Sequence, residues 1–133
     1  SPRLTPDASP FEQLPIDPEH LQAVIKGMVA VNNKPFGTAY WKRIMQEEYA
    51  MGGKTGTAQV RRITVRGQDQ NKIPWKYRHH GLFVGFAPIH APRYSVGVII
   101  EHGGGGSSAA APVARDLLLE TQELMAATSA SIA

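Results

Sequence analysis

The sequence predicts an α+β fold in which helices flank an antiparallel sheet of three strands. Apolar side chains recur at helical spacing near both ends of the chain, which indicates helices before and after the sheet. Between them the period changes to two, and glycines and prolines separate runs rich in β-branched residues. Short connections of this kind favour antiparallel pairing. The predicted strands are residues 54–66, 81–88 and 93–102.

The chain opens with a proline-rich segment that leads into a first helix. Residues 1–16 contain four prolines, which predicts an extended lead-in without regular structure. Asp17 is expected to cap the first helix, and Pro18 to occupy its first position. The residues expected to end this helix are Asn32, Asn33 and Pro35. The residues expected to form its buried face are Leu21, Val24, Ile25 and Met28.

Two further helices are predicted on either side of the strands. Thr38 is expected to cap a short helix through "AYWKRIMQEE", which precedes the first strand. Ser107 or Ser108 is expected to cap a helix over residues 109–126, after the "GGGGSS" loop. The apolar stripe predicted for this last helix consists of Val113, Leu117 and Leu124.

The predicted folded part therefore spans residues 17–126, and residues 127–133 are expected to form a flexible tail. Gly85 and Gly97 interrupt the second and third strands. The missing side chains predict that a helix packs closely at these two positions.

The composition limits the classes of function. The 14 Lys and Arg exceed the 11 Asp and Glu by three, which suits an acidic ligand and a solvated surface equally well. No cysteine is present, so disulfide and thiol chemistry are excluded. No apolar run approaches the roughly 18–20 residues of a membrane span, and no signal-peptide pattern is present. Any anchor or export signal is therefore expected to lie outside these residues.

The stretch "MGGKTGTAQV" at residues 51–60 is the strongest candidate for a functional site. A phosphate-binding loop would need a glycine at Glu48 and a helix after Lys54, and neither fits. An exposed strand edge fits better, because the hydroxyls of Thr55 and Thr57 and the ammonium of Lys54 could bind a carboxylate. Gly56 would let another chain approach and add as a strand. A backbone N–H there could stabilise an oxyanion.

Lys-Thr-Gly is also one of three signatures of penicillin-recognising serine enzymes. The ordered set "GGKTGTAQV", "HHGLFVGFAP" and "VIIEHGGGGSSAAAPVARDLL" resembles the C-terminal part of the transpeptidase domain of class B penicillin-binding proteins, of the penicillin-binding protein 2 type. The resemblance covers roughly residues 15–125 and implies the C-terminal half of a penicillin-binding transpeptidase and serine β-lactamase-like fold. Gly81-Leu82 replaces the Ala-Trp that is usual in the family, which is expected to change packing beside the cleft.

The resemblance implies a role for each residue of this strand. Lys54 and Thr57 are the implied catalytic residues, with the Thr57 N–H as half of the oxyanion hole. Thr55, Gly56 and Thr57 are the implied substrate-binding residues. The implied ligands are peptidoglycan stem peptides and β-lactams, with no metal, no other cofactor and no nucleic acid. The parent protein would be anchored in the bacterial inner membrane and act on its periplasmic side.

The nucleophile of such an enzyme is missing from these 133 residues, since they contain no Ser-x-x-Lys and no Ser-x-Asn. This chain alone is therefore predicted to be inactive, and the N-terminal part of the same protein is the expected partner. The strand at residues 93–102 is apolar on both faces, so it is expected to be covered on both sides inside a larger sheet. Its open edge predicts self-association of the isolated chain.

The sequence also fits alternatives to a transpeptidase. A penicillin-sensing receptor or a serine β-lactamase would share the Lys-Thr-Gly motif, and a non-catalytic module for peptides or nucleic acid is a further class. His79-His80 lacks a third metal ligand at suitable spacing. "HGGGG" lacks the Gly-x-Ser-x-Gly partner of an esterase loop, which favours a plain connection. "RRITVR" and "WKYRHH" are only faint signals for nucleic acid, and a solvated face accounts for them better.

Overall fold

The computed structural model describes residues 12–62 and 66–132, and it confirms the predicted α+β architecture. The strands lie in the order β1-β2-β3, and both neighbouring pairs are antiparallel. Residues 1–11, which make up most of the predicted lead-in, lie outside the described residues. No helix within the described ranges is long and apolar enough to cross a membrane. The helices and strands are α1 (Pro18–Asn33), β1 (Gly52–Ala58), β2 (His80–Ala87), β3 (Tyr94–Ile100) and α2 (Ala111–Ile132).

Helix α1 begins and ends where the sequence predicts. The Asp17 carboxylate accepts a hydrogen bond from the N–H of Glu19 at 2.8 Å, and Pro18 is the first helical residue. At its other end the Asn33 side chain donates to the carbonyl of Met51 at 2.7 Å, which ties α1 to the start of β1. The C-terminal part of the helix therefore lies against the sheet.

Strand β1 is shorter than the predicted strand at residues 54–66. It ends at Ala58, which pairs with His80, the first residue of β2. Residues beyond Ala58 have no strand residue opposite them, and the N–H of Val60 instead donates to Nδ1 of His79 at 3.0 Å. The strand prediction is wrong for residues 59–62, and residues 63–65 lie outside the described part.

The prediction of a short helix between α1 and β1 is also wrong. Two 3₁₀ turns, Tyr40–Lys42 and Glu47–Tyr49, take its place. The N–H of Ala39 donates to the carbonyl of Val31 at 3.1 Å, so the backbone at Ala39 is hydrogen-bonded to the end of α1 and not to a new helix. Ala39, and not Thr38, holds the capping position of the first turn, and it caps without a side-chain bond.

The core lies between the sheet and α2, and it leaves the predicted stripe of α2 and part of the predicted face of α1 exposed. Its largest members are Phe83 and Met51, both fully buried. The predicted buried face of α1 is wrong for Val24, which is 59% exposed, and for Leu21, which is 36% exposed, whereas Ile25 and Met28 are half-buried. In α2 the exposed residues include all three of the predicted stripe, Val113, Leu117 and Leu124. The residues of α2 that are buried instead are Ala111, Ala114, Leu118 and Gln122, whose two alanines allow close packing.

Helix α2 starts and ends differently from the prediction. It follows a π-helical turn at Gly106–Ala110, and it continues to Ile132, past the predicted end at residue 126. Neither serine caps it: Ser107 donates to the carbonyl of Thr38, and Ser108 to that of Gly105. The side chains over residues 127–132 are exposed, and the flexibility of this end stays a prediction.

The prediction that a helix packs closely against Gly85 and Gly97 is wrong. A Cβ on Gly85 would lie 2.7 Å from the ring of Phe83 and 3.0 Å from the carbonyl oxygen of Gly52, so this glycine makes room for a core aromatic ring. A Cβ on Gly97 would meet nothing within 4 Å among the residues that the structure describes. Beside it on β3, Ile99 is 65% exposed, so the described residues cover only one face of this strand.

Candidate active site

An open cleft of about 810 Å³ lies along the outer strand β1. Three parts of the chain form its walls: β1, the segment that follows α1, and the glycine-rich turn that precedes α2. The predicted site residues Thr55, Gly56 and Thr57 all line the cleft. The remaining lining residues are Thr38, Trp41, Lys42, Gly105, Gly106, Ser107 and Ser108.

The alternation of the strand places the two threonines together and Lys54 apart from them. Thr55 pairs with Phe83 and Thr57 with Gly81, so both hydroxyls lie on the face of the sheet that carries the core. Lys54 starts from the opposite face and is exposed, and its ammonium donates to the carbonyl of Thr55 at 2.8 Å. The hydroxyl of Thr57 has no hydrogen-bond partner among the described residues. The site therefore offers two hydroxyls with a positive charge nearby.

The glycine-rich turn packs directly on the backbone of β1. A Cβ on Gly106 would overlap the carbonyl oxygen of Leu82 and lie 2.5 Å from that of Gly56. A Cβ on Gly81 would lie 2.6 Å from the carbonyl oxygen of Gly105. All three contacts are too short for a side chain, so glycine at positions 81 and 106 allows the turn to pack on the strands. Gly81 lies at this contact, and the change in packing relative to the family stays a prediction.

A contact between two hydroxyls joins β1 to the segment after α1. Oγ1 of Thr38 lies 3.3 Å from Oγ1 of Thr55, and either can donate. The carbonyl of Thr38 accepts a hydrogen bond of 2.6 Å from the Ser107 hydroxyl in the glycine-rich turn. All three walls of the cleft are thus linked through Thr38.

Sequence reasoning missed the residues of the cleft that lie outside the Lys-Thr-Gly-Thr strand. Trp41 is 83% exposed at the mouth of the cleft and contacts the ring of Tyr40 edge to face, with 5.1 Å between the ring centroids. The helix prediction placed Trp41 and Lys42 inside a regular element, which hid them. The combination of Pro35 and Gly37 with two adjacent aromatic residues was the available signal for an irregular and exposed segment.

The histidine pair has structural partners. Nδ1 of His79 accepts from the N–H of Val60 at 3.0 Å, and Nδ1 of His80 accepts from the N–H of His102 at 2.9 Å. These bonds hold the start of the long β1–β2 connection and the end of β3. In the part of the chain that the structure describes, no three His, Cys, Asp or Glu side chains are grouped as metal ligands.

Comparisons with known proteins identify the family of this chain. The family model "penicillin binding protein transpeptidase domain" matches residues 3–119. The peptidoglycan D,D-transpeptidase MrdA of Salmonella typhimurium is 33% identical over 96 residues, which are 71% of this chain and 15% of that protein. The MrdA protein of Acinetobacter baumannii is 48% identical over 70 residues, 49% of this chain and 10% of that protein. The chain thus spans about 15% of the length of the Salmonella relative.

Solved structures share the fold. Penicillin-binding protein 2 of Helicobacter pylori, solved in complex with MreC, superposes with a TM-score of 0.67 at 30% identity, covering 80% of this chain and 18% of that one. Penicillin-binding protein 2 of Pseudomonas aeruginosa, in complex with WCK 5153, gives a TM-score of 0.63 at 35% identity and covers 91% of this chain and 23% of that one. The predicted fold and the resemblance are therefore confirmed. The chain belongs to the penicillin-binding protein transpeptidase domain family, and within it to the penicillin-binding protein 2 type.

Proposed function

We propose that this chain supplies the carboxylate-binding and oxyanion-binding strand of a peptidoglycan D,D-transpeptidase. The observation that carries the proposal is the position of Thr55, Gly56 and Thr57, on the outer strand β1 and along an open cleft. The relatives named as D,D-transpeptidases support the same reaction. The substrate class is the stem peptide of peptidoglycan, and β-lactams are the inhibitors.

Thr55 and Thr57 hold the carboxylate of the substrate or of a β-lactam. Their hydroxyls share one face of β1, two residues apart, and a hydroxyl that donates to a carboxylate makes a strong, charge-assisted bond. The Lys54 ammonium makes the pocket positive, and its long exposed side chain can leave the Thr55 carbonyl when a substrate arrives. Lys54 then helps to organise protons and charge beside the nucleophile.

The edge of β1 supplies the backbone groups of the reaction. Among the described residues β1 has β2 on one side and no strand on the other. The exposed Lys54 ammonium reaches the carbonyl of Thr55, which indicates that Thr55 directs its backbone groups to the open edge. Thr57, two residues further on, directs its N–H the same way. Gly56 between them leaves space for an extended peptide to add alongside.

The acyl transfer then proceeds in two steps. A serine from the N-terminal part of the same protein attacks the peptide carbonyl, and the Thr57 N–H stabilises the oxyanion that forms. Collapse of this intermediate breaks the peptide bond, releases the terminal D-alanine with a proton on its amine, and leaves an acyl-enzyme. The amine of a second stem peptide attacks the ester, loses its proton, forms the cross-link and frees the serine. The reaction takes place on the periplasmic side of the inner membrane.

The test is the rate at which the complete protein is acylated by a labelled penicillin. Lys54→Ala and Thr57→Val are each expected to slow acylation by on the order of 10²–10³-fold, because such contacts act in the transition state. Thr57→Val keeps its N–H, so measurable activity remains. Lys72→Ala and Thr121→Val, exposed and outside the cleft lining, are the matched controls. Acylation of both site variants at the wild-type rate would contradict the proposal.

The same experiment separates the related activities. A transpeptidase forms an adduct that persists after excess penicillin is removed, and it also cross-links stem peptides. Rapid loss of the adduct with release of hydrolysed penicillin would indicate a serine β-lactamase. A stable adduct without cross-linking activity would indicate a penicillin-sensing receptor.

A further inference from the structure

We infer that Thr38 is a positioning residue that orients the Thr55 hydroxyl for the carboxylate, and that Ser107 holds Thr38 in place. The inference rests on the proposed function of Thr55 and deepens it. Thr38 lies outside the Lys-Thr-Gly-Thr strand, 17 residues before Thr55, and Ser107 lies 69 residues after Thr38. No sequence motif joins the three residues, so only the fold places them together.

The hydroxyl contact restricts the proton of Thr55. Oγ1 of Thr38 and Oγ1 of Thr55 are 3.3 Å apart, and each hydroxyl has one proton and two lone pairs. When Thr38 donates, its proton occupies a lone pair of Thr55, and the Thr55 proton points elsewhere, into the cleft. Such a chain polarises the second hydroxyl and strengthens its bond to an anion.

The backbone around Thr38 is held firmly enough to position another residue. The next residue, Ala39, is buried, its N–H donates to the carbonyl of Val31 at 3.1 Å, and its carbonyl accepts from the Asn32 side chain at 3.3 Å. On the preceding side, a Cβ on Gly37 would overlap the carbonyl oxygens at the end of α1. Thr38 therefore sits on a tight turn packed against that helix.

Ser107 holds the backbone of Thr38 from the side of the glycine-rich turn. Its hydroxyl donates to the carbonyl of Thr38 at 2.6 Å, a short hydrogen bond across the cleft wall. Ser108, the next residue, donates only to Gly105 at 3.4 Å and so stays within its own turn. Ser107 thus makes the side-chain link from the glycine-rich turn to Thr38.

The Thr57 hydroxyl provides an internal comparison, since it has no hydrogen-bond partner within the described ranges. Thr38 is therefore expected to affect the contribution of Thr55 and not that of Thr57. Loss of one hydrogen bond of this kind corresponds to roughly a 3- to 10-fold change in rate.

The experiment measures acylation of the complete protein by a penicillin and by its methyl ester, which lacks the carboxylate charge. Thr38→Val keeps the shape and removes the hydroxyl, and it is expected to slow acylation by the free acid about 3- to 10-fold. Thr38→Ser restores the rate. The defect is expected to disappear with the ester and in a Thr55→Val background, because the hydroxyl that Thr38 orients is then unused or absent. Thr121→Val, exposed on α2, is the control.

Three results would overturn the inference. The first is Thr38→Val acylated at the wild-type rate. The second is an equal loss with acid and ester, and the third is an undiminished loss in the Thr55→Val background. Either of the last two would mean that Thr38 only supports the fold.

Ser107→Ala provides a second variant if Thr38→Val folds poorly. It leaves both threonines intact and is expected to produce a smaller defect, again confined to the free acid. An equal effect on acid and ester, or no effect, would overturn the role of Ser107 and, where Thr38→Val fails to fold, the inference as a whole. Failure of the proposed function is distinguishable, because Lys54→Ala and Thr57→Val would then acylate normally.

Discussion

Replacement of Gly106 by alanine tests whether contact between the glycine-rich turn and β1 shapes the cleft. The new Cβ would overlap the carbonyl oxygen of Leu82 and lie 2.5 Å from the oxygen and 2.8 Å from the nitrogen of Gly56. All of these atoms belong to the backbone of paired strands, which moves at high cost. The turn itself must therefore move away from the sheet.

The size of the effect follows from these distances. Ordinary contact begins near 3.4 Å, so the 2.5 Å approach to the Gly56 oxygen requires the turn to shift by at least about 0.9 Å, and the overlap with Leu82 is larger still. Overpacking of this kind costs about 1–3 kcal/mol of folding free energy. The shift also carries Ser107 away from Thr38 and widens the cleft over Thr55. Misplacement by about 1 Å at a reacting site costs on the order of 10²-fold in rate.

Two measurements on the complete protein check this prediction: the thermal unfolding midpoint and the rate of acylation by a labelled penicillin. Gly106→Ala is expected to lower both. Gly27→Ala on α1 is the control and is expected to lower neither quantity, because this position is exposed and a Cβ there meets nothing within 4 Å among the described residues. If Gly106→Ala has the unfolding midpoint and the acylation rate of the wild type, the turn does not pack tightly against β1 and does not shape the cleft.

Four further outcomes are expected. Gly81→Ala, with a Cβ 2.6 Å from the Gly105 carbonyl oxygen, should lower the unfolding midpoint less than Gly106→Ala, because its nearest atoms all belong to one peptide unit of the turn, which can move away; an unchanged midpoint would contradict this. Asn33→Ala removes hydrogen bonds of 2.8 and 2.7 Å to two carbonyls and should destabilise the protein by about 1–3 kcal/mol in denaturant titrations, and a loss below about 0.5 kcal/mol would count against it. The 133-residue chain alone should form no penicillin adduct, since it lacks Ser-x-x-Lys; mass spectrometry that found a stable acyl group on one of its serines would disprove this. The same chain should self-associate through the β3 edge beside the exposed Ile99, and a well-folded monomer at micromolar concentration in sedimentation would overturn the idea.

The sequence alone was enough to predict the elements whose causes are local. Asp17 and Pro18 start α1 through capping and a fixed φ, and these act within one turn of the helix. Strands β2 and β3 and the turn between them follow from period-two patterning and from prolines, which also act over a few residues. The Lys-Thr-Gly-Thr motif marked three of the residues that line the cleft for the same reason, since a strand keeps its neighbours in order.

Only the tertiary structure decided where each element meets another. An apolar stripe predicts that a face can be buried, but the partner decides whether it is. Thus α2 packs through Ala114 and Leu118, and the described residues leave its Leu117 and Leu124 exposed. Strand β1 ends at Ala58 because β2 begins opposite it, a fact that no local pattern in β1 contains.

The cleft depends on tertiary structure most of all. Thr38, Thr55 and Ser107 are far apart in the chain. The sequence predicted Thr38 and Ser107 as helix caps and Thr55 as a carboxylate ligand, and it predicted no contact among the three. The Thr38 and Thr55 hydroxyls meet, and the Ser107 hydroxyl reaches the Thr38 carbonyl. These contacts form because Gly106 lets one turn pack on the backbone of β1, while Gly37 lets another turn pack against α1. Two backbones can approach closely where a glycine lacks a side chain. The sequence shows where the glycines are, but not which distant atoms of the chain pack against them.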